Sequence, residues 1–273
     1  MSPRARTALL ALGLTTFFVL ISFPYGRYGA WFAARLGASL GVQVRASEVT
    51  PSFSWGGPVL RASQVTVQLQ DGHRFDLDEL RVRPALSLSW LWLDPAVRIW
   101  LESADGQVDG TFWLGESSSF RGQLLDVDLG VLADGAAPEG FELRGRAEIE
   151  LDVESGPEGL RGVVDLEARE GSVAFPPYGL PVPFEELRGR FELDPASGVR
   201  VTAFELEDPA LSLHAEGTLG AQPTLAQGQL DLQGELEVRN PGLRAVLADA
   251  VRLDREGHAQ LRLQGTLTRP ILR

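Results

Sequence analysis

At 273 residues the chain is long enough for one or two domains and a sizeable core. Its net charge of −12, from 37 acidic residues against 25 basic ones that are all Arg, argues against nucleic acid, because phosphate recognition needs concentrated positive charge. With no cysteine, disulfides, thiol catalysis and thiolate metal sites are removed together, although the compartment stays open on that ground.

The first six residues carry Arg4 and Arg6, and residues 1–6 are expected to be a cytoplasmic start. The uncharged stretch from Thr7 to Tyr25 would span roughly 28 Å as a helix, about one bilayer core, and predicts a transmembrane anchor over residues 7–25. A cleaved signal peptide competes, but its apolar core runs about 7 to 15 residues and ends at small residues. Here bulky "SFPYGRY" follows. The basic start favours N-in orientation with the body outside the cytoplasm, while Arg27 and Arg35 dilute that signal.

Residues 26–40 place Tyr28, Trp31, Phe32, Leu36 and Leu40 along one helical stripe, either at the membrane surface or over one end of a sheet. From Gly41 the period becomes two, through "VQVRASEV" and "QVTVQL", so residues 41–273 are expected to form a β-rich domain. The stretch over residues 85–101 is interrupted by Asp94, Pro95 and Arg98 and is too short to cross a bilayer. Its Trp90, Trp92 and Trp100 are expected in the core, with an interface belt as the alternative.

From Leu143 onward one parity is apolar and the other charged. Leu143, Gly145, Ala147, Ile149, Leu151 and Val153 alternate with Arg144, Arg146, Glu148, Glu150, Asp152 and Glu154. Related rows recur through Leu211 and Leu213, through Leu230, Leu232 and Leu236, and through Leu261, Leu263 and Leu267. These leucines and Ile149 are the candidate lining of an apolar groove. Glycine sits in the apolar row at Gly145, Gly162, Gly189, Gly217, Gly234 and Gly265, where it permits bends or a close approach. Unequal spacing of these glycines predicts a meander with unequal loops rather than a solenoid. The fold class is therefore mainly β: a strongly curved, mostly antiparallel sheet, groove or half-barrel, with few short helices. "FPPYGLPVPF", residues 175–184, is expected to connect strands. A late helix is capped by Asn240, begins at Pro241, and presents Leu243, Val246, Leu247, Ala250 and Val251 to an end or edge of the sheet.

Catalytic patterns are not found. His73, His214 and His258 have no metal-ligand spacing, and Ser117, Ser118 and Ser119 lack the closing glycine of a nucleophile elbow and read as a loop. Asp126/Asp128 and Glu148/Glu150 read as solvated acids on the wet face of a strand. "DGHRFDLDE", residues 71–79, lacks the order of a calcium loop. The expectation is a non-enzyme without metal or cofactor.

The succession of anchor, "LGVQVRASEV", "PSFSWGGPVLRASQVTVQL", "LRVRPALSL", "ADGQVDGTF", the "LRGR" strands and a closing "LQGTLTRP" resembles the type II secretion system protein N family. More distantly it is similar to the AsmA and TamB group of membrane-anchored β-groove proteins. The resemblance covers nearly the whole chain and is most specific at Gly265 to Pro270. It implies an inner-membrane protein with a periplasmic β-rich body, a non-catalytic accessory of the machinery that exports folded proteins. Its expected partners are the inner membrane, other type II secretion subunits and phospholipid, with no nucleic acid. The lipid-binding or lipid-transfer reading is the alternative to the secretion one.

Overall fold

The computed structural model describes residues 43–54, 57–68, 74–85, 96–114, 117–131, 142–174, 181–220, 228–247, 251–266 and 269–272. The expected anchor and juxtamembrane helix, Trp90, Trp92, His73 and Leu267 lie outside these residues. The described chain is mainly β, and its contacts divide it into two units, Met1–Arg81 and Val82–Arg273.

In the first unit, β1 (Gln43–Ser54) and β2 (Gly57–Gln68) form an antiparallel hairpin, and β3 (Arg74–Pro84), most of which belongs here, lies beside β2. The pairing passes from Ala46↔Val65 to Glu48↔Ser63, leaving Ser47 and Gln64 out of the ladder. Gln64 takes a positive φ of 51°, uncommon for a residue other than glycine. Because both strands set aside one residue, the apolar positions change parity without changing face. Val65 and Ala62, three residues apart, are therefore both buried, at 0% and 8% exposure.

The second unit runs β4 (Ala96–Ser103), β5 (Gly106–Leu114), β6 (Ser118–Asp128), β7 (Glu142–Gly156), β8 (Gly159–Ala174), β9 (Pro181–Asp194), β10 (Gly198–Asp208), β11 (Leu211–Leu219), β12 (Gln229–Val238), α1 (Pro241–Leu247), β13 (His258–Thr266) and β14 (Arg269–Leu272). Each strand pairs antiparallel with the next in chain order, which is the expected meander. Short acidic turns close several hairpins. Asp194 accepts from the amides of Ala196 and Ser197, and Asp208 from that of Ala210.

Three local expectations are corrected. Ser118 and Ser119 open β6, paired with Ser155 and Glu154, so only Ser117 precedes the strand. Pro181 to Phe184, expected in a connection, open β9 and pair with Ala174 to Gly171. Prolines are tolerated there because the β9–β10 ladder reaches only Glu186, which leaves that part of β9 with a neighbour on one side. Trp100 stands opposite Asp109 on the charged parity of β4 and is half-buried, so it lies outside the apolar core.

Candidate functional site

The register turns the alternating strands of the second unit into one continuous apolar face. One rung across the sheet reads Ile99, Gly110, Gly122, Leu151, Val164, Phe191, Val201, Gly217, Leu232, Leu263 and Leu272. A second reads Leu101, Val108, Leu124, Ile149, Leu166, Gly189, Phe204, Ala215, Gly234 and Leu261. A third reads Val127, Ala147, Ala168, Leu187, Leu206, Leu213, Leu236 and Ala259. No charged residue interrupts them. Register is strongly specified here because slipping any strand by one residue would turn its charges inward.

Holding the rungs together across irregular strands requires bulges, and these are carried by residues with no sequence signal. Asp126 (φ 56°) lies in the shift between Leu124 and Val127, and Glu170 (φ 54°) is left unpaired opposite Gly145. β10 shifts between Val201 and Phe204, so that both residues stay on the apolar face.

Of the six glycines, Gly145 alone lies within a register shift. A Cβ at Gly217 would come within 2.2 Å of the Asp231 carbonyl oxygen, and the φ of +150° is itself unfavourable to other residues. At Gly189 the space is taken by a ring, since a Cβ would meet Phe191 Cε2 at 2.7 Å. Phe120 covers Gly110 in the same way and Phe184 covers Gly171, so aromatic rings repeatedly fill what the glycines leave open.

The apolar face has two zones. Its third rung joins Leu129, Val173, Phe184, Leu211 and Val238 in a buried cluster, against which Leu243 and Leu247 of α1, Val251 and Leu253 pack. Asn240 Oδ1 caps α1, accepting from the amides of Gly242 at 2.8 Å and Leu243 at 3.2 Å. Arg244 fastens it by donating to the carbonyls of Val238 and Glu256, both at 2.6 Å. The helix thus packs against the cluster beside the end of β12. The first rung from Val201 to Leu272, and Phe112, Phe120, Leu219 and Leu230 beside it, lie outside this cluster.

The candidate groove residues divide between these zones. Ile149, Leu211 and Leu236 belong to the buried cluster, and Leu143, Leu151, Leu213 and Leu261 pack against it. Leu230 is buried outside it, and Leu232 and Leu263, a cross-strand pair, are half-buried outside it. Burial class, which depends on what packs over a strand, is invisible to the alternation that nominated them.

The opposite face is charged and self-paired. Arg98 donates to both Asp109 oxygens at 2.9 and 2.7 Å and holds that carboxyl below its usual range through those hydrogen bonds. Arg121 pairs with Asp152 at 2.6 Å and Arg190 with Asp165 at 3.3 Å. A depression of about 510 Å³ lies among Arg98, Asp109, Arg121, Glu150, Asp152 and Asp165, but its charges largely answer one another. Asp126 pairs with Arg146, and Asp128 accepts from the Gly130 amide at the start of a helical turn, so these two acids do not act as a pair. His214 lies 3.6 Å from Glu205 and His258 3.5 Å from Asp254, both on the exposed surface. Among the described residues no group of three or more acids and histidines could hold a metal. Comparison with family models, with curated proteins and with solved structures gives no match for this chain.

Proposed function

We propose that the chain is a non-catalytic accessory component of the type II protein secretion machinery, anchored in the inner membrane by residues 7–25, with its β-rich body in the periplasm. The supporting observation is the antiparallel meander. It sets the two "LRGR" stretches into β7 and β9 as central strands and folds "LQGTLTRP" into the closing β13–β14 hairpin, with Gly265 opposite Pro270. The two "LRGR" stretches behind the family resemblance are thus strand-forming elements of one sheet. Partner contacts fall to the charged face and the loops, since the apolar face is the worse surface for reversible docking in water. The test is purification of the tagged full chain in mild detergent from secreting cells. Stoichiometric recovery of other secretion subunits is expected, and a solitary protein overturns the reading.

One observation favours a second reading, a lipid-binding module. The rung through Leu232 and Leu263 continues across the sheet outside the cluster that α1 covers, offering half-buried apolar side chains in a row. Bulges and close-packed glycines on that face support a curved sheet whose hollow takes acyl chains. Leu232→Asp or Leu263→Asp is expected to remove phospholipid that copurifies with the full chain, because an unpaired charge in an apolar site is costly. Equal lipid in wild type and variants eliminates this reading and leaves the secretion one standing.

A further inference from the structure

We infer that the depression on the charged face of β4 to β8 binds a neutral oligosaccharide, a function independent of both readings above and placed on the face opposite the apolar rungs. Its volume of about 510 Å³ lies within the range of about 300 to 1,000 Å³ that small-molecule clefts occupy. Register fixes what surrounds it. One polar row crosses the strands as Arg98, Thr111, Arg121, Asp152 and Val163, and the next as Trp100, Asp109, Gln123, Glu150 and Asp165.

Charge excludes ionic ligands first. Arg98 is paired with Asp109, Arg121 with Asp152 and Arg190 with Asp165. The fourth carboxylate, Glu150, is matched in number by Arg83, whose charge adds to the Arg98 hydrogen bonds in lowering the Asp109 carboxyl. A phosphate or a polyamine would therefore meet as many like charges as opposite ones. What stays unused is hydrogen-bonding capacity. Among the described residues no hydrogen bond or ion pair engages the Gln123 amide, the Glu150 carboxylate or the Thr111 hydroxyl. Gln123 and Glu150 are directly opposed across β6 and β7, so their Cα atoms lie about 4.5 to 5.5 Å apart on rigid strands. An amide beside a carboxylate offers donors and acceptors together, which suits neighbouring hydroxyls that each give and take a proton. A sugar ring also has an apolar face of C–H groups, and the aromatic planes that match it are present. Trp113 follows Thr111 by two residues along β5 and Trp100 stands opposite Asp109, so both half-buried tryptophans belong to the face that holds the depression. Four strand spacings of about 4.8 Å give this face a span of about 19 Å from β4 to β8, room for several linked rings.

The test titrates the full chain, in a detergent without a sugar headgroup, with maltohexaose and with chitohexaose, and reads binding by isothermal titration calorimetry. Binding of at least one is expected, with an affinity that added salt leaves unchanged because the charges of the site cancel. Gln123→Ala, at an exposed position, is expected to weaken it about tenfold through lost hydrogen bonds. Trp113→Ala is expected to weaken it by at least as much, and Trp113→Phe to keep most of it. Glu216→Ala, exposed on the same face of β11 but outside the depression, is expected to bind as wild type does. Failure of both sugars to bind overturns the inference. So does undiminished binding by Gln123→Ala with circular dichroism reporting an intact β fold, or an affinity that collapses with salt.

Discussion

The two zones of one apolar face differ in what lies over them. In the third rung, Leu187 and Leu206 are 4% and 3% exposed, within the cluster that includes Leu129 and against which α1 packs. In the first rung, Leu232 and Leu263 are built on the same kind of strand with the same alternation, yet remain half-buried. The comparison teaches that alternation decides which face a side chain takes, while a covering element decides whether that face becomes core. Among the described residues α1 packs against the third-rung cluster, and Leu232 and Leu263 lie outside it.

The sharpest way to break this contrast is truncation in each zone. Leu206→Ala is expected to destabilise the protein by about 2 to 5 kcal/mol in denaturant unfolding, against about 1 to 2 kcal/mol for Leu232→Ala, where less cavity is left. Equal losses would abolish the distinction between zones. Next in size, Gly217→Ala is expected to cost about 1 to 3 kcal/mol, because its Cβ would meet the Asp231 carbonyl and the backbone cannot relax. Gly189→Ala should cost less, since the Phe191 ring can swing aside; thermal melts of both variants order them.

Removing the cap tests the cover itself. Asn240→Ala is expected to lose about 1 kcal/mol, and amide exchange should rise in α1 and in the third rung before the first. The smallest effect is electrostatic. Asp109 is lowered by its hydrogen bonds from Arg98, Asp231 by Arg262, and Asp254 chiefly by the His258 amide. Each has a folded-state pKa below its unfolded value, so its contribution is complete above about pH 4 and is lost as pH falls through the folded value. Tryptophan fluorescence should show a constant unfolding midpoint from neutral pH to about pH 5 and a decline below about pH 4. A midpoint that rises on acidification would contradict the pairing seen on the charged face.

Much of this was legible in the residues. The alternation from Leu143 to Glu154 gave β7 its faces, and the unequal glycine spacing gave the meander. Asn240 and Pro241 marked the helix start to the residue. Of the expected stripe, Leu243, Leu247 and Val251 pack against one cluster, and the Val251 amide donates to the Leu247 carbonyl at 2.8 Å. What stayed hidden depends on neighbours. Trp100 was expected in the core on its hydrophobicity, but register assigns it to the charged side with Asp109. The bulges at Asp126 and Glu170 fall on polar residues with no turn signature, because the strain is imposed by keeping adjacent strands in phase. The glycines announced a special backbone, though not that Phe120, Phe184 and Phe191 would lie across such gaps.

Strand order in the second unit has a consequence for how the body is made. Each strand pairs first with the strand before it, so pairing can advance hairpin by hairpin from the first to arrive. Such a sheet is expected to fold quickly for an all-β protein and to lose strands from its ends singly rather than collapse at once. Strands added in chain order would thus meet their partners in the order in which they emerge.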